Sequence, residues 1–195
     1  MLKKSFPRAI TLLCFFVFFT LFVFQAGRCD ADASAVDALS GKVDELYSNE
    51  ELAKGRWRKV SSVEYKNTGT GLRERDTIYA ASRRVVMVHE SFDRGNEESR
   101  TFVTRYATTD FAGLLQGLSP GTASGTVDRL LGAPYATQGP ARGYRNEPGS
   151  VWVAVTFRGD KAYLLDLHAP PEGGGEDEAI TRKITSQFDS LARRL

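Results

Sequence analysis

Residues 151–168 read VWVAVTFRGDKAYLLDLH, and this stretch decides the fold. Val151, Val153, Val155 and Phe157 alternate with Trp152, Ala154 and Thr156. That period of two puts one set of side chains on each side of a strand. Gly159-Asp160 offers a two-residue hairpin turn with Gly at its first position, and Ala162 to His168 is the returning strand. A hairpin this well marked predicts antiparallel pairing.

Upstream, Trp57–Lys66, Leu72–Ala80, Arg83–Phe92 and Ser99–Tyr106 read as four more strands, with turn clusters at Asn67–Gly71 and Asp93–Asn96. Together they predict an antiparallel meander. Val85-Val86-Met87-Val88 is continuously apolar, which suits a central strand covered on both faces. Alternation along Ser99–Tyr106 sets Phe102, Thr104 and Tyr106 on one face.

Helical spacing runs through Val36, Leu39, Val43, Leu46 and Tyr47 and predicts a helix over 34–55, with Ser34 as N-cap. A second helix is expected after Thr109-Asp110 through Phe111, Leu114 and Leu115. A third runs from Ala123 to Leu131, where Gly132 and Pro134 stop it. Gln138 to Pro148 reads as a loop or ragged strand, and Ala169 to Gly175 as a flexible connector. In the closing helix, acids at 176–178 suit the N-terminus and Arg193 and Arg194 the C-terminus. Its stripe of Ile180, Ile184, Phe188, Leu191 and Leu195 must pack on the sheet. The expected fold is α+β, an antiparallel meander sheet packed by helices and sandwich-like, with residues 34–195 as a single α+β domain. Ser40-Gly41-Lys42-Val43-Asp44-Glu45-Leu46 echoes Ser124-Gly125-Thr126-Val127-Asp128-Arg129-Leu130, which leaves open a tandem of two helix-plus-sheet units.

The N-terminus has a different character. Lys3, Lys4 and Arg8 precede an apolar run from Ala9 to Phe24, and seven of the chain's 12 Phe fall in the first 24 residues. Basic head, apolar run and then small residues is the order of a secretory signal peptide. Cleavage is expected after Ala31 or Ala33, making 1–31 a signal peptide and the protein periplasmic or extracellular. The alternative is a membrane anchor over residues 9–26. A lipidated Cys29 is disfavoured by Arg28, where a small residue is needed. Both cysteines, Cys14 and Cys29, leave with a signal cut after Ala31, so the mature chain has no disulfide and no thiol nucleophile.

The 195 residues carry 26 Lys+Arg and 24 Asp+Glu. The first 31 hold four of those bases and one acid, leaving 22 bases and 23 acids in the rest. A near-neutral body lacks the concentrated basic footprint of a nucleic-acid binder. Two His residues and the absent thiol leave little material for metal or nucleophilic chemistry, so no cofactor and no metal are expected.

Several pieces of the C-terminal half resemble the PsbP-like family of small extrinsic or exported proteins. They are Thr109-Asp110-Phe111, Val127-Asp128-Arg129-Leu130-Leu131-Gly132, the strand from Val151 with Gly159-Asp160-Lys161-Ala162-Tyr163, and Ile184-Thr185-Ser186-Gln187-Phe188. Gln187 departs from that family's Ser-Phe ending, and its Pro-x-x-Trp strand entrance has no counterpart around Trp57. The resemblance implies an antiparallel sheet between helices and an accessory, non-catalytic role, and it transfers no ligand residue. Gly121-Thr122, Val127 and Leu131-Gly132-Ala133-Pro134-Tyr135, with Val155-Thr156-Phe157 ahead of Gly159-Asp160, are also similar to the BamE and beta-lactamase-inhibitor type of fold. That resemblance implies a sheet face or edge that holds protein partners.

Chemistry is sparse. Asp166 and His168 stand two apart and share a strand face, as a carboxylate orienting an imidazole would. No Gly-x-Ser-x-Gly elbow accompanies them, so a polar strand end explains them better. His89 and Glu90 point to opposite faces, against joint ligation. The acids at 97–98 and 176–178 lack the spacing of a calcium loop. Gly121–Thr126 resembles a phosphate-binding helix entrance without the P-loop Lys. Arg142, Tyr144, Arg145 and Trp152 combine the residue types enriched at protein interfaces and are the candidate partner-binding set. Trp152 is either covered by the N-terminal helix or an exposed anchor.

The expected function is an exported, non-enzymatic binding or assembly protein of the cell envelope. Its partner is expected to be an envelope protein, with no nucleic acid, and with membrane contact only through an uncleaved N-terminus. The alternatives are a small periplasmic hydrolase using Asp166 and His168, and a small-ligand carrier with a pocket between sheet and closing helix.

Overall fold

The computed structural model describes residues 35–43, 56–92, 99–146, 149–169 and 178–195. The expected leader, the second half of the first helix and the connector after Ala169 lie outside these residues. Helix α1 covers 35–43. Strands β1 (Arg58–Lys66), β2 (Arg73–Ala81), β3 (Arg84–Phe92) and β4 (Ser99–Thr108) follow. Helix α2 (Ser124–Leu131) then precedes β5 (Ala136–Gln138), β6 (Ala141–Arg145), β7 (Trp152–Arg158) and β8 (Lys161–His168). Helix α3 (Glu178–Ala192) closes the chain.

The strands form one antiparallel sheet in the order β1-β2-β3-β4-β8-β7-β6-β5. It consists of two four-stranded meanders, each preceded by a helix, joined where β4 meets β8. That seam is short, with four residue pairs from Arg105↔His168 to Thr108↔Leu165.

Apolar side chains divide between two clusters, because neighbours on a strand point opposite ways. Val36, Leu39 and Val43 of α1 and Val127 and Leu131 of α2 share one cluster with Val86, Tyr106, Val153, Val155 and Leu165. Ile184, Phe188 and Ala192 of α3 share the other with Ile78, Val85 and Ala107. Val85 and Val86 are both buried, one in each cluster, as expected of a strand covered on both sides. We call the α1/α2 side the front and the α3 side the back. The predicted stripe of α3 supplies the back cluster, with Leu191 and Leu195 at its margin. The side chains of this cluster lie between α3 and the sheet.

Two local expectations are corrected. The helix expected through Phe111 and Leu114 is instead two consecutive turns, in which Leu114 N–H donates to the Phe111 carbonyl and Leu118 N–H to that of Leu115. Gly113 (φ 85°) and Gly117 (φ 86°) take left-handed conformations that break a helix and suit a turn. A turn repeated every four residues still buries Phe111, Leu114 and Leu118, which is why the spacing reads as helical. Second, β4 carries a bulge, since Met87 pairs with Arg105 while Val88 pairs with Val103. The extra residue, Thr104, reverses the alternation. Tyr106 therefore faces the front and Phe102 the back, where it pairs with His89. Of the two readings of the stretch from Gln138, loop or ragged strand, the structure has the strand, β6, and β5 before it is three exposed residues long.

Candidate functional site

A cross-strand row on the back face runs Arg145 (β6), Trp152 (β7), His168 (β8), Arg105 (β4), Met87 (β3) and Ile78 (β2). Its inner half lies under α3 and its outer half does not. The expected pair Asp166 and His168 sits at the transition. Arg105 grips Asp166 with two bonds, Nε donating to Oδ1 at 3.1 Å and an Nη to Oδ2 at 2.6 Å. The same Nη lies 2.7 Å from Asp189 of α3, and the guanidinium sits 4.3 Å from the centre of the Phe188 ring. One buried cation thus ties the seam of the sheet to the closing helix. The planar fork of Arg is what allows bidentate contact and stacking together.

His168 Nε2 lies 3.2 Å from Asp166 Oδ1 but off the line of a good hydrogen bond. Its ring stacks against Trp152, centroids 3.4 Å apart and planes 15° from parallel. Burial pushes the imidazole below its ordinary value of 6.5 more strongly than Asp166 pulls it up, so neutral His168 is favoured. For Asp166, burial acts upward, but the contacts to His168 and Arg105 together outweigh it and hold the carboxyl below 3.8. A carboxylate with both oxygens committed to Arg105 and a neutral imidazole under an indole form a structural pin.

The four-residue partner-binding set is split between the faces. Tyr144 is fully buried, and its hydroxyl donates to Asp128 Oδ1 of α2 at 2.7 Å. Burial, then this bond, pushes the phenol far above its usual range. Arg142 also pairs with Asp128 and lies over the Phe157 ring. Both residues tie α2 to the front of the sheet; Tyr144 is buried there, and Arg142 stays half-buried. Arg145 and Trp152 are neighbours on the back. The described part of α1 packs on the front and so does not cover Trp152.

Around Arg145 and Trp152, the back positions of β5–β7 are mostly small: Ala136, Ala141, Gly143, Ala154 and Thr156. Tyr135, which is 49% exposed, lays its ring across Gly143, 3.0 Å from where a Cβ would stand. Arg145 stacks on that ring at 5.2 Å. At the far end of β7, Arg158 stacks on Tyr163 at 3.4 Å. Tyr135, Arg158 and Tyr163 were not singled out by the sequence reading. The signal for Tyr135 was the Gly at position 143 of a strand, which marks a close approach.

The phosphate-like entrance to α2 is already filled. Ser124 Oγ donates to the Asp160 carboxylate and Ser124 N–H to the Asp160 carbonyl, so an acid of the β7–β8 turn occupies that helix end. A second polar cluster, absent from the sequence reading, is buried on the back of β1–β3. His89 Nδ1 lies 2.9 Å from Asp76, the Tyr65 hydroxyl donates to Asp76, and Asn67 donates to Glu74. Phe102 stacks on His89 at 5.2 Å. Glu74 and Asp76, two apart on β2, were the available sign. Among the described residues no group of His, Cys, Asp and Glu is arranged to hold a metal ion, and no helix is long and apolar enough to cross a membrane. Comparison with family models, with curated proteins and with solved structures finds no match to this chain.

Proposed function

We propose that this chain is an exported, non-catalytic docking protein that holds another protein of the cell envelope on the back face of β5–β7, which none of the described helices covers. The observation that carries the reading is the Arg145–Tyr135–Trp152 group. Two aromatic rings and a guanidinium stand on a floor of small residues, beside a half of the same face that α3 already covers. Such rings bury large area at small entropic cost, and Trp, Tyr and Arg supply most interface hot spots. Of the two resemblances, that to the BamE and beta-lactamase-inhibitor type of fold agrees with use of a sheet face. The basic, then apolar, N-terminus supports export.

The hydrolase reading loses support from the geometry of its own pair. Arg105 bonds both oxygens of Asp166, and the His168 ring is stacked on Trp152 with Nε2 3.2 Å from Asp166 Oδ1. The test uses the full chain, tagged and crosslinked in intact cells that make it. A protein partner retained by the wild type and lost from Tyr135→Ala/Trp152→Ala, with secondary structure unchanged, supports docking at this face. Equal retention by both places the contact elsewhere. Substrate turnover abolished by His168→Ala in the folded protein replaces the proposal with the hydrolase.

A further inference from the structure

The charge of the open face specifies its partner. At the back positions of β5–β8 the one carboxylate among the described residues is Asp166, and Arg105 neutralises it. The cations there are Arg145, Arg158 and Lys161, which pairs with Arg158 across the hairpin, and the two guanidinium groups are held by Tyr135 and Tyr163 through ring contacts. A guanidinium stacked on a ring keeps its N–H edge free to donate, and it is fixed in place beforehand. Arg145 lies opposite Trp152, and Arg158 is six residues further along β7. At roughly 3.4 Å per residue that sets their backbone positions about 20 Å apart along the strand direction.

The space between them suits a helix. Three strands spaced about 4.8 Å apart give a strip about 10 Å across, the diameter of one α-helix, and 20 Å of length corresponds to roughly 13 helical residues. Small residues along the floor, Ala154 and Thr156 of β7 and Ala141 of β6, leave room for the ridge of a helix lying beside α3. Strand addition is disfavoured, because the adjacent edge strand β5 is only three residues long and runs into Gly139-Pro140. Two copies of this strip would set cation against cation.

Resting on the docking role proposed above, we infer that the occupant is an acidic amphipathic helix of a partner protein, its apolar stripe on the Ala154–Thr156 floor and its carboxylates on Arg145 and Arg158.

The test places the photoreactive residue p-benzoylphenylalanine at Thr156 of the full chain, and at Lys59 on β1 as a control, in cells that make the protein. The expected result is an adduct from position 156, absent from position 59, to one protein within a helix bearing Asp or Glu. Its yield should fall at least tenfold in Arg145→Glu/Arg158→Glu and return when the facing acids of the partner are changed to Arg. Circular dichroism of the charge-reversed variant confirms that it is folded. An adduct indifferent to charge reversal overturns the acidic helix and leaves the docking face standing. Adducts to lipid, or to a second copy of the chain, overturn the inference in favour of those occupants. No adduct from position 156 overturns both the inference and the docking role.

Discussion

Trp152 and His168 lie face to face across the β7–β8 pair, ring centroids 3.4 Å apart, so that the half-buried indole of the back face rests on a titratable ring. Through Asp166, His168 also touches the network that holds α3. The surface and the core therefore share one reporter.

Acid should loosen the protein in two steps. His168 has its folded value below 6.5, so the unfolded chain binds the extra proton more readily. The stabilisation is complete above that value and declines as pH falls below it. Asp166, held below 3.8, adds a loss of the same sign at lower pH. Urea unfolding between pH 8 and 5 is expected to show the first decline in the wild type and a smaller one in His168→Gln. Trp152 emission, read in a Trp57→Phe background, should change over the same range. A decline unchanged by His168→Gln would assign it to another group.

Removing Arg105 leaves Asp166 buried beside an unneutralised neighbour. Breaking a buried ion pair from one side costs about 3–5 kcal/mol. Arg105→Met should cost about that much in urea unfolding, and adding Asp166→Leu should recover a large part of it. If the single variant loses less than 1 kcal/mol, the network does not pin α3.

Phe188 is fully buried in the back cluster. Truncating a buried Phe typically costs about 3–5 kcal/mol. Phe188→Ala should lose that much and, by loosening α3, raise the binding of a dye specific for exposed apolar surface. Unchanged dye binding with full loss of stability would mean that the helix stays seated over the cavity.

Gly143→Ala is predicted to separate stability from docking. The added methyl would stand 3.0 Å from the Tyr135 ring, which is half exposed and able to swing away. The cost in thermal unfolding should be about 1 kcal/mol or less. Moving that ring breaks its stack with Arg145, so partner crosslinking should fall severalfold. Loss of stability without loss of crosslinking would remove Tyr135 from the interface.

The parts of this fold written in local patterns were readable. The β7–β8 hairpin follows from strict alternation around Gly159, which adopts φ 61°, and α3 follows from one apolar stripe. What escaped depends on registers between distant segments. The bulge at Thr104 follows from how β4 must pair with β3, and nothing in residues 99–106 alone announces it. The Tyr144–Asp128 bond and the Arg105–Asp166 bond join residues 16 and 61 positions apart. The first places Tyr144 of the candidate interface in the core. Arg145 and Trp152 were found by composition, but their partners in the exposed group, Tyr135 and Arg158, needed the pairing of β6 with β7.

The seam between the two meanders has a bearing on how the chain is made. Each hairpin closes between near neighbours, whereas Arg105 and His168 meet only after the 62 residues between them have been laid down. Until then β4 and β8 are raw borders, each with unpaired peptide groups able to recruit a foreign strand. A nascent chain halted before His168 would thus carry a sticky half-sheet, and rapid completion or a chaperone's shelter would decide whether it aggregates or matures.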